Sequence, residues 1–305
     1  MSPARSQSAA TTAAAAPDPG HPFHITKEEE RRLRLAAAEV APSLVIGQPT
    51  VFDEYVRQLM VPPMVMDLFR KASSIQLSAW EIEAMRRHLA PPGLGALPEP
   101  GLLRRIMMEK ARRDKTHPPY IRVACTGRGT WDHWATEFNY VPADDEPSGD
   151  IGSPVVLELW PAQHYSPIHS HGNTTGIIHC LAGRLDVMAY DHLEWDATKR
   201  GLVTLTPGQC AWLDGDTYAV HKVFCPMDGG GGATGPEFMS TTGEFGASFH
   251  VYLNEWETAL DTDGTPSRDE FEYIDELNKK KKKFATYSDL SWNVLRRVLT
   301  HTDLD

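Results

Sequence analysis

The sequence predicts a mainly β domain, a sandwich or barrel, that follows a helical N-terminal region. From Val155 to Leu253, short apolar runs alternate with turn residues, as is typical of antiparallel strands. Before Pro118 the apolar residues instead recur at helical spacing. The chain has 305 residues, 41% of them hydrophobic, which is enough for one large domain or two small ones.

The helical region is expected to cover residues 21–118 and to pack on the β domain as a cap. Thr26 is followed by acidic residues, and Ser78 and Glu81 form a capping box, so both positions predict helix starts. The predicted helical segments are Thr26 to Val40, Pro49 to Lys71 with a break at Pro62 and Pro63, Ser78 to about Leu89, and Pro98 to Arg113.

The β domain is expected to cover residues 119–256. Its predicted strands are Tyr120 to Ala124, Val155 to Trp160, Gly176 to Cys180, Arg184 to Tyr190, Leu202 to Thr206, Cys210 to Leu213, His221 to Phe224, and Ala247 to Leu253. A turn is predicted at Ala182-Gly183. Two loops are predicted, a long one from Trp131 to Asp150 and a mobile, glycine-rich one from Asp228 to Gly246.

A C-terminal extension is expected over residues 257–305. Its five consecutive lysines, Lys279 to Lys283, indicate a solvated helix end or loop, with a localisation signal as the minor interpretation. Ser291 to Leu299 has the pattern of a short amphipathic helix.

Composition limits the partners and the compartment. The net charge of −11 argues against a nucleic-acid or membrane-surface partner. The four cysteines lack C-x-x-C spacing, which favours reduced thiols in a cytoplasmic protein. Residues 1–20 carry almost no charge and no long apolar run, so we expect a disordered tail, with a transit peptide as the alternative.

The candidate metal-binding residues cluster around His169-Ser170-His171. Alternate residues of a strand point to the same face, so both imidazoles are expected to face one side. Neutral imidazoles bind divalent iron, zinc, nickel or copper. About fifty residues later, after a turn, His221 enters another apolar run. A histidine pair, a hairpin and a distant single histidine resemble the two-part metal pattern of the cupin barrel, which is a jelly roll or double-stranded β-helix.

The stretch from Tyr120 to Tyr252 resembles the cysteine dioxygenases, which are cupin-fold thiol dioxygenases. Five features match in order, so together they are more specific than any one alone. The iron-binding histidines of that family correspond to His169, His171 and His221, its carboxylate-binding Tyr-x-Arg to Tyr120 and Arg122, its tryptophan before the first ligand to Trp160, and its Ser-x-His-x-Tyr to Ser248, His250 and Tyr252.

The sequence also departs from the family pattern. Ser170 stands where the family usually has aspartate. Gly176 stands where animal members have the cysteine that is joined to the active-site tyrosine, so Tyr252 is expected to be uncrosslinked. Cys180 is no substitute, because four residues along a strand displace it by about 13 Å. His164 and His179 are interpreted as surface or packing histidines.

The resemblance implies an iron(II) enzyme that oxidises L-cysteine with O2 to cysteine sulfinate, as a monomer or weak homodimer. Arg122 and Tyr120 would hold the substrate, and Trp160 would wall the site. Tyr252 would donate a hydrogen bond to the substrate carboxylate or the bound oxygen, with His250 orienting Tyr252 and Ser248 fixing the tautomer of His250.

Other functions stay open at this point. One is the same oxidation of another small thiol, such as 3-mercaptopropionate. Another is a cupin of a different class: an isomerase or decarboxylase with another metal, or a non-catalytic binding module. Most such metal cupins place a glutamate four or five residues after the H-x-H, where this chain has Thr175 and Gly176, so the three-histidine interpretation is favoured.

Overall fold

We describe the protein from a computed structural model. The structure describes residues 25–40, 45–46, 63–93, 97–114, 119–142, 156–171, 175–213, 220–227, 242–253, 270–285 and 287–302. The predicted N-terminal tail, the part of the glycine-rich loop before residue 242 and residues 143–150 of the predicted long loop lie outside these ranges. No helix within the described ranges is long and apolar enough to cross a membrane.

The described helices confirm the predicted helical segments, except for residues 49–62, which lie outside the described ranges, and they add one helix. They are α1 (Lys27–Val40), α2 (Pro63–Ser73), α3 (Ala79–Leu89), α4 (Leu102–Arg113), α5 (Asp132–Glu137) and α6 (Trp292–Thr302).

The helix starts have the predicted causes. Glu29 N–H donates to the Thr26 hydroxyl at the start of α1 (3.1 Å). The capping box of α3 is complete, because the Glu81 amide donates to Ser78 Oγ and the Ser78 amide donates to the Glu81 carboxylate. Helix α2 begins at Pro63, where the missing amide hydrogen costs nothing.

The strands lie in two sheets. They are β1 (Val45–Ile46), β2 (Ile121–Ala124), β3 (Val156–Pro161), β4 (His169–Ser170), β5 (Thr175–Ala182), β6 (Leu185–Tyr190), β7 (Lys199–Leu205), β8 (Cys210–Leu213), β9 (Val220–Phe224), β10 (Phe245–Leu253), β11 (Glu270–Asp275), β12 (Lys280–Ala285) and β13 (Leu290–Ser291). One sheet has the order β1-β8-β5-β10-β3-β2-β13, and the other β12-β11-β4-β9-β6-β7.

The strand order is that of a jelly roll. Strands β3 to β10 form its eight strands, with β8-β5-β10-β3 in the seven-stranded sheet and β4-β9-β6-β7 in the six-stranded sheet. All pairings among these eight strands are antiparallel. The predicted mainly β, cupin-type barrel with an N-terminal helical region is therefore confirmed.

The two faces of the six-stranded sheet have different environments. Val187 and Val223 lie in an apolar cluster with Trp160 of β3, inside the barrel. Met188 and Tyr190 belong to a second cluster with Leu33 of α1, on the outer face. The turn between β5 and β6 falls at Gly183, as predicted, with φ at +66°. A Cβ there would lie 2.4 Å from the carbonyl oxygen of Phe245, so glycine is required.

The long loop predicted from Trp131 to Asp150 is wrong at its start, because Asp132–Glu137 is helical. Asp132 is buried and accepts hydrogen bonds from the amides of Gly129 (2.7 Å) and Ser291 (2.8 Å). Ala135 is also fully buried. Tertiary contacts with the C-terminal segment thus stabilise one short helix that is too brief to show a clear apolar period.

Four of the five lysines are also not in a helix end or loop, since β12 covers Lys280–Ala285, whereas Lys279 lies in the turn before it. Strand β12 pairs antiparallel with the acidic strand β11, with Lys283 opposite Glu272 and Lys280 opposite Asp275. Cross-strand pairs of opposite charge stabilise a hairpin, and lysines on an edge strand discourage pairing with another sheet. The lysines are extended because the acidic strand β11 pairs with them.

Candidate metal centre and its surroundings

Three histidines converge inside the barrel. The ligand atoms of His169, His171 and His221, hereafter the histidine triad, lie within 4.8 Å of one another. The ring centroids are 4.9 Å apart for His169 and His171, 4.3 Å for His169 and His221, and 5.2 Å for His171 and His221. The group contains no carboxylate. Three neutral nitrogen donors fit a divalent transition metal with positions left open for other ligands.

Strand pairing positions the triad. His169 of β4 is the direct cross-strand partner of His221 of β9, so both side chains lie on the same face of the six-stranded sheet. His171 follows two residues after His169 and returns to that face. The structure brings together the three residues whose spacing predicted a metal site, and ligation itself stays a prediction.

The protonation states suit metal binding. His169 Nδ1 lies 3.0 Å from the Pro167 carbonyl oxygen, which can only accept. Nδ1 therefore carries the hydrogen, which leaves Nε2 as the nitrogen of His169 that could bind a metal. Burial lowers the pKa of His169 to about 4 and holds that of His171 well below its ordinary value. Both rings are neutral at pH 7, as ligation requires.

The seven-stranded sheet carries a row of polar side chains. Arg122 of β2, Glu158 of β3 and Ser248 of β10 are direct neighbours across three strands. Arg122 Nε donates to Glu158 Oε1 (3.0 Å), and both side chains are buried. Both charges act on the triad. Glu158 raises the pKa of His169 and so offsets part of the effect of burial, whereas Arg122 lowers the pKa values of both His169 and His171.

His250 joins this row from two residues beyond Ser248. Its Nε2 lies 2.7 Å from Ser248 Oγ and 3.0 Å from Glu158 Oε2. A carboxylate can only accept, so Nε2 bears the hydrogen. Burial lowers the pKa of His250, and its ring is neutral with Nδ1 unprotonated. Ser248 was predicted to fix this tautomer, and Glu158 contributes a stronger acceptor to the same nitrogen.

Two aromatic rings border the polar row. Trp160 Nε1 donates to Ser248 Oγ (2.9 Å), which ties the indole to the serine and histidine. The Tyr120 ring stacks on Trp160 with centroids 4.2 Å apart. Both side chains are buried, and the predicted substrate-site residues Tyr120 and Trp160 are thus adjacent. Packed rings of this kind keep water away from the charged groups beside them.

The backbone of Arg122 is held from outside the barrel. Its amide donates to Asp289 Oδ2 (2.8 Å), and Lys110 Nζ donates to the same oxygen (2.7 Å). The guanidinium carbon lies 5.4 Å from the ring centroid of Tyr287. A cavity of about 190 Å³ adjoins this region and is lined by Lys110, Arg113, Asp114, Pro119, Tyr120, Trp131 and Tyr287.

Tyr252 is placed by its backbone alone. It lies on β10 and pairs directly with Gly176 of β5. Because residue 176 is a glycine, the position opposite Tyr252 offers no sulfur for a crosslink. The Tyr252 side chain lies outside the described part of the chain, so its predicted role stays a prediction.

The sequence interpretation missed Glu158, Asp289 and Lys110. Glu158 had one available signal: it lies two residues before Trp160 in an apolar strand, and therefore on the same face. His164 and His179 are both buried, which confirms packing and excludes a surface position for them. His164 Nδ1 lies 2.5 Å from the Pro119 carbonyl oxygen, and His179 packs edge-on against Phe69.

Comparison with known proteins gives only distant likenesses. No family model and no curated protein matches the chain. It is similar to the solved structures of TT1209 from Thermus thermophilus (14% identity, 32% of this chain and 70% of that one, TM-score 0.21) and DMSP lyase DddQ from Ruegeria pomeroyi (17%, 37% and 44%, 0.23). A third is oxalate oxidase in complex with the substrate analogue glycolate (12%, 37% and 51%, 0.22).

The strand order and the histidine triad define the class of the protein without those likenesses. It is a cupin-type β-barrel with a candidate metal site formed by His169, His171 and His221.

Proposed function

We propose that this protein is a non-haem iron(II) thiol dioxygenase that oxidises L-cysteine with O2 to cysteine sulfinate. The observation that carries the proposal is the histidine triad, three neutral imidazoles without a carboxylate, facing a buried arginine and a buried histidine on the opposite sheet. Such a donor set leaves the charge of a divalent ion uncompensated by protein anions and favours an anionic thiolate as a further ligand.

Iron(II) held by the triad would supply positions for the thiolate and for O2. Both oxygen atoms pass to sulfur in the overall reaction. The sulfur loses four electrons and O2 gains four, so no further reductant is needed. The protein would hold the other end of the thiol, orient its sulfur and exclude water.

Arg122 is proposed to hold the substrate carboxylate. Its guanidinium is buried and held by Glu158 through Nε, and Asp289 holds the Arg122 backbone through its amide. A planar guanidinium fixed in this way recognises a carboxylate with little loss of side-chain entropy on binding.

His250, Ser248 and Trp160 form the proposed support for Tyr252. Trp160 donates to Ser248, and Ser248 accepts from His250 Nε2, which orients the His250 ring. In this proposal the unprotonated Nδ1 of His250 accepts from the Tyr252 hydroxyl. A tyrosine oriented in this way would donate a hydrogen bond to the carboxylate or to the reacting oxygen. Tyr120 and Trp160 would close the site against water.

Oxygen consumption by iron(II)-loaded protein tests the proposal. We expect uptake with L-cysteine and a product that has gained two oxygen atoms by mass spectrometry. His221→Ala should abolish uptake, Arg122→Ala should weaken the affinity for cysteine, and the exposed control His301→Ala should behave as the wild type.

Other outcomes redirect or overturn the proposal. Uptake with 3-mercaptopropionate alone would keep the chemistry and reassign the pocket to another small thiol. No uptake with either thiol, in protein shown to contain iron, would overturn the proposed oxidation of these thiols and favour a cupin of another class.

A further inference from the structure

Lys110 and Asp289 form an ion pair outside the barrel, beside the strand that carries Arg122. Lys110 lies on α4 of the helical region and Asp289 lies in the C-terminal segment, with 2.7 Å between Lys110 Nζ and Asp289 Oδ2. The Asp289 side chain is fully buried, and that of Lys110 is 12% exposed. Burial raises the pKa of the Asp289 carboxyl, and the Lys110 charge opposes that rise. Buried ion pairs are often no more stabilising than apolar pairs of similar size, so stability alone is a weak reason for this one.

The ion pair holds the backbone of β2 on both sides of Ile121. Lys110 Nζ also donates to the Tyr120 carbonyl oxygen, and the Arg122 amide donates to Asp289 Oδ2 (2.8 Å). The Asp289 amide donates in turn to the Arg122 carbonyl oxygen (2.7 Å). The peptide groups next to the two predicted substrate-binding side chains of β2 are therefore fixed to two segments that lie outside the barrel.

The ring of Tyr287 connects the ion pair to the guanidinium of Arg122. The Lys110 ammonium lies 5.0 Å from the centroid of this ring, and the Arg122 guanidinium carbon lies 5.4 Å from the same centroid. Cations at this distance from an aromatic face are attracted to it. Glu158 holds the guanidinium at Nε (3.0 Å). Arg122 is thus held at its backbone by the ion pair and at its side chain by a ring and a carboxylate.

We propose that Lys110 and Asp289 are positioning residues, which hold Arg122 where its guanidinium meets the carboxylate of the thiol. The inference rests on the proposed function in assigning the substrate carboxylate to Arg122. A guanidinium binds a carboxylate best through two hydrogen bonds of fixed direction, so a small displacement of the β2 backbone misaligns both. The helical region and the C-terminal segment in this way affect substrate binding without touching the substrate.

The test compares the binding of L-cysteine with that of 2-aminoethanethiol, which has a thiol and an amine but no carboxylate. Each is titrated by calorimetry into iron(II)-loaded protein under nitrogen, and oxygen uptake is measured in parallel. The variant is Lys110→Met, which keeps a side chain of similar length and removes the charge. The matched control is Lys199→Met. Lys199 of β7 is 14% exposed at its side chain and pairs with Glu29 of α1 (3.1 Å), so it also connects an N-terminal helix to a strand, away from β2.

We expect the wild type to bind cysteine more tightly than 2-aminoethanethiol. In Lys110→Met the ratio of these two affinities should fall by at least about fivefold, because only cysteine uses Arg122. Lys199→Met should keep the wild-type ratio. Lys110→Arg keeps the charge and should return the ratio to within about twofold of the wild type. If Lys110→Met does not fold, Asp289→Asn replaces it; the variant keeps an acceptor for the Arg122 amide but loses the charge, so the ratio should fall by about two- to threefold.

A merely structural role for the ion pair would weaken the binding of both thiols equally and leave the ratio unchanged, and that result would overturn the inference. An equal fall in Lys199→Met would overturn it as well. If the expected ratios appear without oxygen uptake, the inference is supported and the dioxygenase proposal fails. If the wild type binds cysteine no better than 2-aminoethanethiol but consumes oxygen with it, the inference fails and the dioxygenase proposal stands. If the iron-loaded protein binds neither thiol, both are overturned.

Discussion

The inside of the barrel and the outer face of its six-stranded sheet each hold a buried ion pair. The inner pair is Arg122 and Glu158, and the outer pair is Lys222 and Glu276, with Lys222 Nζ 3.1 Å from Glu276 Oε1. In both pairs the glutamate uses its second oxygen for another group. Glu158 meets His250 Nε2, and Glu276 accepts from the Tyr165 hydroxyl (3.2 Å).

The two pairs differ in what lies next to them. The charges of Arg122 and Glu158 act on the histidine triad, whereas the Lys222 ammonium lies 4.1 Å from the centroid of the Tyr165 ring. Lys222 pairs with Met188, whose side chain belongs to the outer apolar cluster. Burial alone therefore does not mark a functional pair. A functional ion pair differs from a structural one because its charges act on neighbouring groups that can bind a ligand.

The largest expected difference between the two sides is in metal binding. His221 and Lys222 are adjacent on β9 and point to opposite faces. His221→Ala should lower iron affinity by at least about 100-fold, since even residues that only support metal ligands affect affinity by 10- to 100-fold. Lys222→Met should keep the wild-type iron content. The iron bound per folded protein is measured for both variants. Equal iron content in the two would contradict the assignment of His221 as a metal ligand.

Next in size is the effect of breaking the outer pair on stability. Glu276→Gln leaves the Lys222 charge buried without its counter-ion and should lower the free energy of unfolding by about 3 kcal/mol. Lys222→Met/Glu276→Leu removes both charges and should recover most of that loss. Urea unfolding measures the stability, and oxygen uptake per folded Glu276→Gln protein should match the wild type. A lower uptake would mean that the outer pair also serves the site.

A smaller difference between the inside of the barrel and the outer face is expected in the pH dependence of the free energy of unfolding. Burial lowers the pKa of His250 in the folded protein, whereas in the unfolded chain it titrates near 6.5. Its neutral form thus contributes stability above pH 6.5 that is lost as the pH falls, because the unfolded state then binds more protons. Each such histidine steepens the loss by up to about 1.4 kcal/mol per pH unit. In metal-free protein, His250→Gln should make unfolding free energy less pH-dependent between pH 6.5 and 5.

The control for the acid prediction is Met188→Leu in the outer apolar cluster, which should keep the wild-type slope over the same interval. It changes no titratable group, so the histidine contribution stays intact. An unchanged slope in His250→Gln would show that His250 titrates alike in the folded and unfolded states.

The smallest effect is expected at the edge of the six-stranded sheet. Lys281 is exposed on β12, in contrast to the buried Lys222. Lys281→Ser should change the unfolding free energy by no more than about 0.5 kcal/mol and leave oxygen uptake unaltered. Thermal melting measures the change in the free energy of unfolding. A larger loss of stability would mean that the lysine strand contributes more than solubility and strand pairing.

The parts of the structure that depend on local pattern could be predicted from the sequence. Short apolar runs between turn residues predicted the strands, the Ser78 and Glu81 capping box predicted α3, and Gly183 marked a turn. The H-x-H spacing set two imidazoles on one face, and the third histidine followed from its place at the start of a strand. These features need only the geometry of one element, so they can be derived without a fold.

The contacts between residues that are distant in sequence became known only from the folded structure. The sequence places Glu158 on the same strand face as Trp160, but only the register places it between Arg122 and Ser248. The lysine run became a strand because an acidic strand pairs with it, and Asp132 began a helix because Ser291 donates to it. The energy of a buried charge depends on partners that are far apart in sequence, and only the folded chain specifies them.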